Sequence, residues 1–221
     1  DAAVRTAESR SVLAALGVPA EQIYFLGYPD TGMPYEESFL RRLYDGCRVS
    51  ASRWGRTETW RPDGQDFHFM RSGCHSTYTA ASVLRDLSDV LALVNPDTVY
   101  VTAPGDCHGD HDALGRFTTQ AVAAMENPPA LYYYLIHADR TDIWPERDAE
   151  RFRLPPMAAD HPLLRCAAER RPLPDGFPPA EKYSLIQSYT SQDPAAYNGY
   201  LLAFAKNDEL VFRVERLPSR T

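Results

Sequence analysis

The chain has 221 residues, 44% of them hydrophobic, and carries 23 Lys and Arg against 30 Asp and Glu, a formal net charge of −7. That balance, with no basic stripe, excludes nucleic acid as the main partner. The longest apolar runs, around 91–94 and 131–136, are far too short to cross a bilayer, and mean hydropathy is −0.41.

The length allows one sizeable core, and a single domain over residues 1–221 is expected. Val4, Ala7, Val12, Leu13 and Leu16 fall near one face of a helix over 4–16, and Gly17 is its stop signal. Residues 22–26 read as a short buried strand, and 27–32 as the loop at its end. Residues 36–47 look helical. The stretch 50–76 is polar, rich in Arg, Gly and Trp and weakly patterned, as a surface or lid loop would be. Its aromatics Trp54, Trp60, Phe67 and Phe69 suit either stacking on sugar rings or ordinary partial burial.

From 77 to 94 the spacing of Val83, Leu84, Leu87, Val90, Leu91 and Val94 gives an amphipathic helix ended by Asn95-Pro96. A β-branched run follows at 98–102, then a polar turn, then a helical pattern over 113–125. Residues 130–137 form an apolar aromatic strand. The Pro-rich stretch 141–179 reads mostly as loop, 181–192 as a helix and 209–217 as a late edge strand. Helices and strands alternate without repeats, which indicates α/β.

The turn at 103–112, Ala-Pro-Gly-Asp-Cys-His-Gly-Asp-His-Asp, is the densest chemistry in the chain. It joins a strand to a helix, the place where open α/β sheets bind ligands. His108 and His111, three residues apart, can share a face, or one can hold a metal while the other meets substrate. Asp110 between them can accept an imidazole N–H and fix its tautomer. The alternative is a helix N-terminus with solvated histidines, to which Asp110 and Asp112 would be suited as N-terminal acids.

Cys47, Cys74, Cys107 and Cys166 form no C-x-x-C pair, so neither a zinc ribbon nor a redox dithiol is indicated. Free buried thiols and one disulfide, for example Cys47 with Cys74, both stay open. Cys107, beside His108, reads either as a soft ligand or nucleophile or as a small residue lining the loop.

Four pieces in order carry a resemblance: Arg5-x-x-Glu8 on the first helix, Phe25-Leu26-Gly27-Tyr28-Pro29-Asp30, His108-Gly109-Asp110-His111, and Lys182 with Tyr189-x-Ser191-Gln192. Together they resemble the LmbE-like, or PIG-L, family of zinc-dependent N-acetylglucosamine deacetylases. The resemblance implies a Rossmann-like, mostly parallel sheet with helices on both faces, and zinc as cofactor. It places a zinc ligand at His111, a catalytic-pocket role at His108, and substrate contacts at Asp30 and Arg5. The implied substrate is a small N-acetylated sugar or related amide. Read without it, Asp30 is a turn-former and Arg5 a surface partner of Glu8.

Two departures stand out. Gly109 replaces the family's usual Pro, which loosens the turn but removes no ligand. The family's A-H-P-D-D-E motif, source of the other ligands and the general base, is not found, so the chain reads as lacking the first strand and as truncated at its N-terminus. Asp106 and Asp112 are the local carboxylates that would have to substitute. Three readings follow: a zinc-dependent amide hydrolase, an inactive homologue or carbohydrate-binding module, and another metal hydrolase such as a two-metal phosphoesterase.

Overall fold

The computed structural model describes residues 2–31, 37–47, 51–62, 64–139, 141 and 143–218. The start of the helix expected from residue 36 lies outside them. Among these residues a four-stranded sheet has the order β1-β2-β4-β3, with β1 Thr98–Thr102, β2 Ala130–Tyr134, β3 Ala167–Pro172 and β4 Asp208–Arg213.

α5, Gly109–Ala124, links β1 to β2 as a crossover, so those two strands run parallel, with Val101 opposite Tyr133. After β2 the chain makes no second helical crossover of that kind. β4 instead pairs antiparallel with both β2 and β3. The sheet is therefore mixed, where a mostly parallel one was expected. β4 is interior rather than an edge, and β3 arises inside a stretch that reads as loop.

The helices are α1 Ala2–Ala15, α2 Phe39–Tyr44, α3 Phe67–Ser72, α4 Ala80–Val94, α5, α6 Pro179–Gln187 and α7 Ala196–Gly199. α4 is capped as its sequence suggests: Thr79 Oγ1 accepts from Ser82 N, and Asn95 closes the helix at φ 46°. The expected strand at 22–26 is instead a 3-10 turn at Ala20–Gln22 followed by extended chain. Its backbone bonds go to the neighbouring loop, with Phe67 N donating to Phe25 O and Trp60 N to Gly27 O.

The 50–76 stretch is correspondingly no loose lid. It contains α3, a bridge from Glu58 to Thr77, and the buried side chains of Thr59, Arg61, Asp66, Phe67 and Ser76. Trp54, by contrast, is exposed. All four cysteines are free, with Cys47 and Cys74 exposed rather than buried.

One core lies against the sheet around Val101, Leu131, Tyr133, Leu210 and Phe212, and includes Trp144, Phe152 and Leu163. A second fills the space between α2, α4 and α5 with Phe39, Leu43, Val83, Ala113 and Phe117. Burying a side chain such as Phe117 stabilises by about 1.5–3 kcal/mol, enough for this cluster to fix α5 against its neighbours. Gly115 allows α5 to lie directly on the end of β1, because a Cβ there would sit 2.3 Å from Thr102 O. Thr102 Oγ1 in turn donates to His111 O at 2.8 Å. The packing of α5 thus sets where His111 stands.

Candidate active site

The β1–α5 turn is built around buried carboxylates. Asp106, 1% exposed, accepts from His108 N at 2.9 Å, Ile136 N at 3.0 Å and His137 N at 3.1 Å, which ties the turn to the end of β2. Burial raises its pKa, but the His111 imidazole and the backbone donors outweigh that and hold it below the ordinary carboxylate range. Asp112 accepts from Gly105 N, Arg41 and Arg116 at 2.7–3.0 Å. Burial opposes its ionised form, and Arg116 leads the groups that nevertheless hold its pKa low. Both carboxylates are committed to the scaffold, which removes them as substitute general bases.

α5 begins earlier than its apolar pattern suggests, because the motif itself is its first turn. His108 is the N-cap, and its Nδ1 accepts from Asp110 N at 3.3 Å. An Nδ1 that accepts carries no proton, so the proton of the neutral ring sits on Nε2. Burial, then the neighbouring His111, lower the His108 pKa, against the upward pull of Asp30 and Asp110. His108 is thereby favoured as a neutral imidazole with an Nε2–H donor.

Asp110 fixes this tautomer through its backbone N–H, where its carboxylate was expected to do so. Its carboxylate oxygens accept from Thr31 N at 3.0 Å, Thr31 Oγ1 at 3.2 Å and Leu40 N at 2.7 Å. Burial raises the Asp110 pKa. Its task in this geometry is to hold the loop that carries Asp30.

Asp30 Oδ1 stands 3.8 Å from His108 Nε2, and Asp30 Oδ2 accepts from Arg5 Nη1 at 2.9 Å. The two side chains are 57% and 44% exposed, open enough to exchange partners with a ligand. With its amide oxygen turned toward Arg5, Gln192 accepts from Nε at 2.8 Å. Four of the five residues singled out in sequence, Arg5, Asp30, His108 and Asp110, thus form one connected group with Thr31. His111 stacks on His108, with ring centroids 4.4 Å apart.

His137 was not recognised in sequence. Its ring stacks on His108 at 5.8 Å and on His111 at 5.5 Å, and against Tyr200 at 5.5 Å. The signal was available, since His137 follows the parallel strand next to β1 and strand C-terminal ends gather in one place.

Zinc was tested against the donors present. His111 Nδ1 is buried and makes no hydrogen bond, yet lies 3.4 Å from Asp106 Oδ1, within ion-pair range though poorly aligned. A carboxylate behind an imidazole is the usual outer partner of a zinc-bound histidine, so His111 fits as one ligand. Among the described residues, Asp30, His108 and Asp110 bring ligand atoms together, but that group excludes His111 and its Asp110 is already bonded to the loop. The described residues therefore complete no three-ligand shell at His111.

A family model described as GlcNAc-PI de-N-acetylase, PIG-L, matches residues 1–122. No curated protein and no solved structure matches the chain. The match takes in α1, the Asp30 loop and the whole His108–His111 motif, and the family points to deacetylase-type hydrolysis. With more than half of its length matched, the chain belongs to the PIG-L family.

Proposed function

We propose that this chain is a zinc-dependent hydrolase that removes the N-acetyl group from an N-acetylglucosamine-type sugar or a related amide. The observation that carries the reading is the open Arg5–Asp30 pair beside His108 Nε2: sugar-binding polarity next to a neutral imidazole donor. His111 is the ligand this chain offers to zinc, backed by Asp106. Zinc held at a completed site would polarise the amide carbonyl and lower the pKa of a bound water to about 7.

The chain's own residues orient the substrate and stabilise the developing charge. Arg5 and Asp30 exchange their mutual contact for hydroxyl groups of the sugar and orient the acetamido group. His108 Nε2–H donates a hydrogen bond to the oxygen on which negative charge develops. Asp110 acts through Thr31 and Leu40, keeping Asp30 in reach of His108. The products are acetate and a free amine.

A second reading, a sugar-binding homologue without a competent metal site, is favoured by one observation: the described residues complete no shell at His111. One experiment separates the two. Zinc content and amine release from N-acetylglucosaminyl substrates are measured for the protein and for His111→Ala. About one zinc per chain, lost with the activity in His111→Ala, is expected. Saturable sugar binding with neither zinc nor amine release would establish the second reading instead.

A further inference from the structure

Away from the β1–α5 turn, Cys74, His68 and Asp86 stand in line. Asp66 caps α3 by accepting from Phe69 N at 3.1 Å, which places His68 on its first turn. Gly73, at φ 76°, ends the helix and returns the chain so that Cys74 Sγ lies 3.9 Å from His68 Nε2. On the other side of the ring, His68 Nδ1 is buried and lies 3.3 Å from Asp86 Oδ1, close enough for an ion pair but poorly aligned for a hydrogen bond.

Asp86 is wholly buried on α4 and firmly placed. Its Oδ2 accepts from Tyr28 Oη at 2.8 Å and Ser76 Oγ at 2.6 Å, and Arg85 Nη2 reaches Oδ1 at 3.0 Å. A carboxylate on the Nδ1 side favours the proton there and leaves the Nε2 lone pair facing the thiol. Ser72 Oγ, 3.3 Å from Sγ, is a second polar neighbour of the thiol, with its own proton given to His68 O at 2.8 Å. Asp89 also approaches His68 and Asp86. A cation there would have to displace the Arg85 guanidinium and two hydroxyl donors from Asp86, which argues against a metal site.

We propose that Cys74 is a nucleophilic thiol, with His68 as its base and Asp86 orienting His68, and that it forms a covalent-modification site for small soft electrophiles. In the step, Sγ forms a bond to the electrophilic carbon as the leaving group departs with the bonding pair. The thiol proton goes to His68 Nε2. With iodoacetamide the C–I bond breaks and iodide leaves. The site is independent of the deacetylase reading, since it shares no residue with it.

The test is site-resolved mass spectrometry of the native protein under limiting iodoacetamide at neutral pH. Cys47, the other exposed thiol, is the internal reference. Cys74 is expected to react about tenfold faster than Cys47, and His68→Ala or His68→Gln to bring it down to the Cys47 rate. Unfolding the wild-type chain in urea is expected to bring the ratio to about one, which tests the geometry even where a His68 variant does not fold. A native ratio near one overturns the proposal, as does an advantage that survives either urea or a folded His68 variant.

Discussion

Asp106, Asp110 and Asp112 sit within one turn, are all buried, and do three different things. The first gathers backbone N–H groups at the end of β2, the second holds Thr31 and the first turn of α2, and the third neutralises Arg41 and Arg116. That the turn concentrates ligand chemistry was legible from composition and position. The division of labour was not, because Arg41 lies 71 residues from Asp112 and Thr31 lies 79 from Asp110. Local patterning carries no information at that range. Two outcomes are expected at this scale. Asp110→Asn places an N–H donor against the N–H groups of Thr31 or Leu40, costing about 1–3 kcal/mol in chemical denaturation and, under the proposed function, raising KM for the sugar. Under the proposed function, His108→Ala removes the Nε2–H donor and lowers kcat by about 10²–10³ with the fold intact by circular dichroism.

Elements whose signals are local were legible, and those that depend on a neighbour were not. α4 carries its own cap, apolar stripe and αL stop, so its limits agree with its sequence. β1 is β-branched and was read correctly. β3, Ala-Ala-Glu-Arg-Arg-Pro, has little strand character of its own and exists because β4 pairs with it along its length. Residues 22–26 are the converse, strand-like residues with loop partners in place of a ladder. Packing between elements gives the test at this scale. Gly115→Ala drives a methyl group into Thr102 O and forces α5 off β1, at a cost of about 1–3 kcal/mol. Because Thr102 also holds His111 O, the same variant is expected, under the proposed function, to reduce zinc affinity at His111. A melt alongside a zinc titration reads both, and full zinc affinity in a destabilised protein would separate the helix packing from the site.

Across the whole molecule, the site depends on a clasp between its first helix and its C-terminal third. Glu8 on α1 accepts from Thr190 Oγ1 at 2.7 Å, Ser191 N at 2.9 Å and Ser191 Oγ, while Gln192, next in the chain, meets Arg5 one turn before Glu8. Arg5-x-x-Glu8 and Tyr189-x-Ser191-Gln192, quoted separately as sequence pieces, are thus two halves of one contact. Its pH dependence follows from the carboxylate. The Ser191 hydroxyl first, then its backbone N–H and Thr190, lower the Glu8 pKa below 4.5, with burial opposing them. A carboxylate whose pKa is depressed by folding contributes stability above its unfolded value and loses it as pH falls through the folded one. The contribution is therefore present at neutral pH and fades below 4.5. Glu8→Gln cannot titrate there, so its melting temperature is expected to fall below wild type at pH 7 and to converge on it as pH drops below that value. A gap that stays constant with pH would show that the clasp works by shape and not by charge. Loosening it also frees Gln192 from Arg5, so under the proposed function Glu8→Gln raises KM for the sugar at neutral pH while kcat, set at His108, stays near wild type.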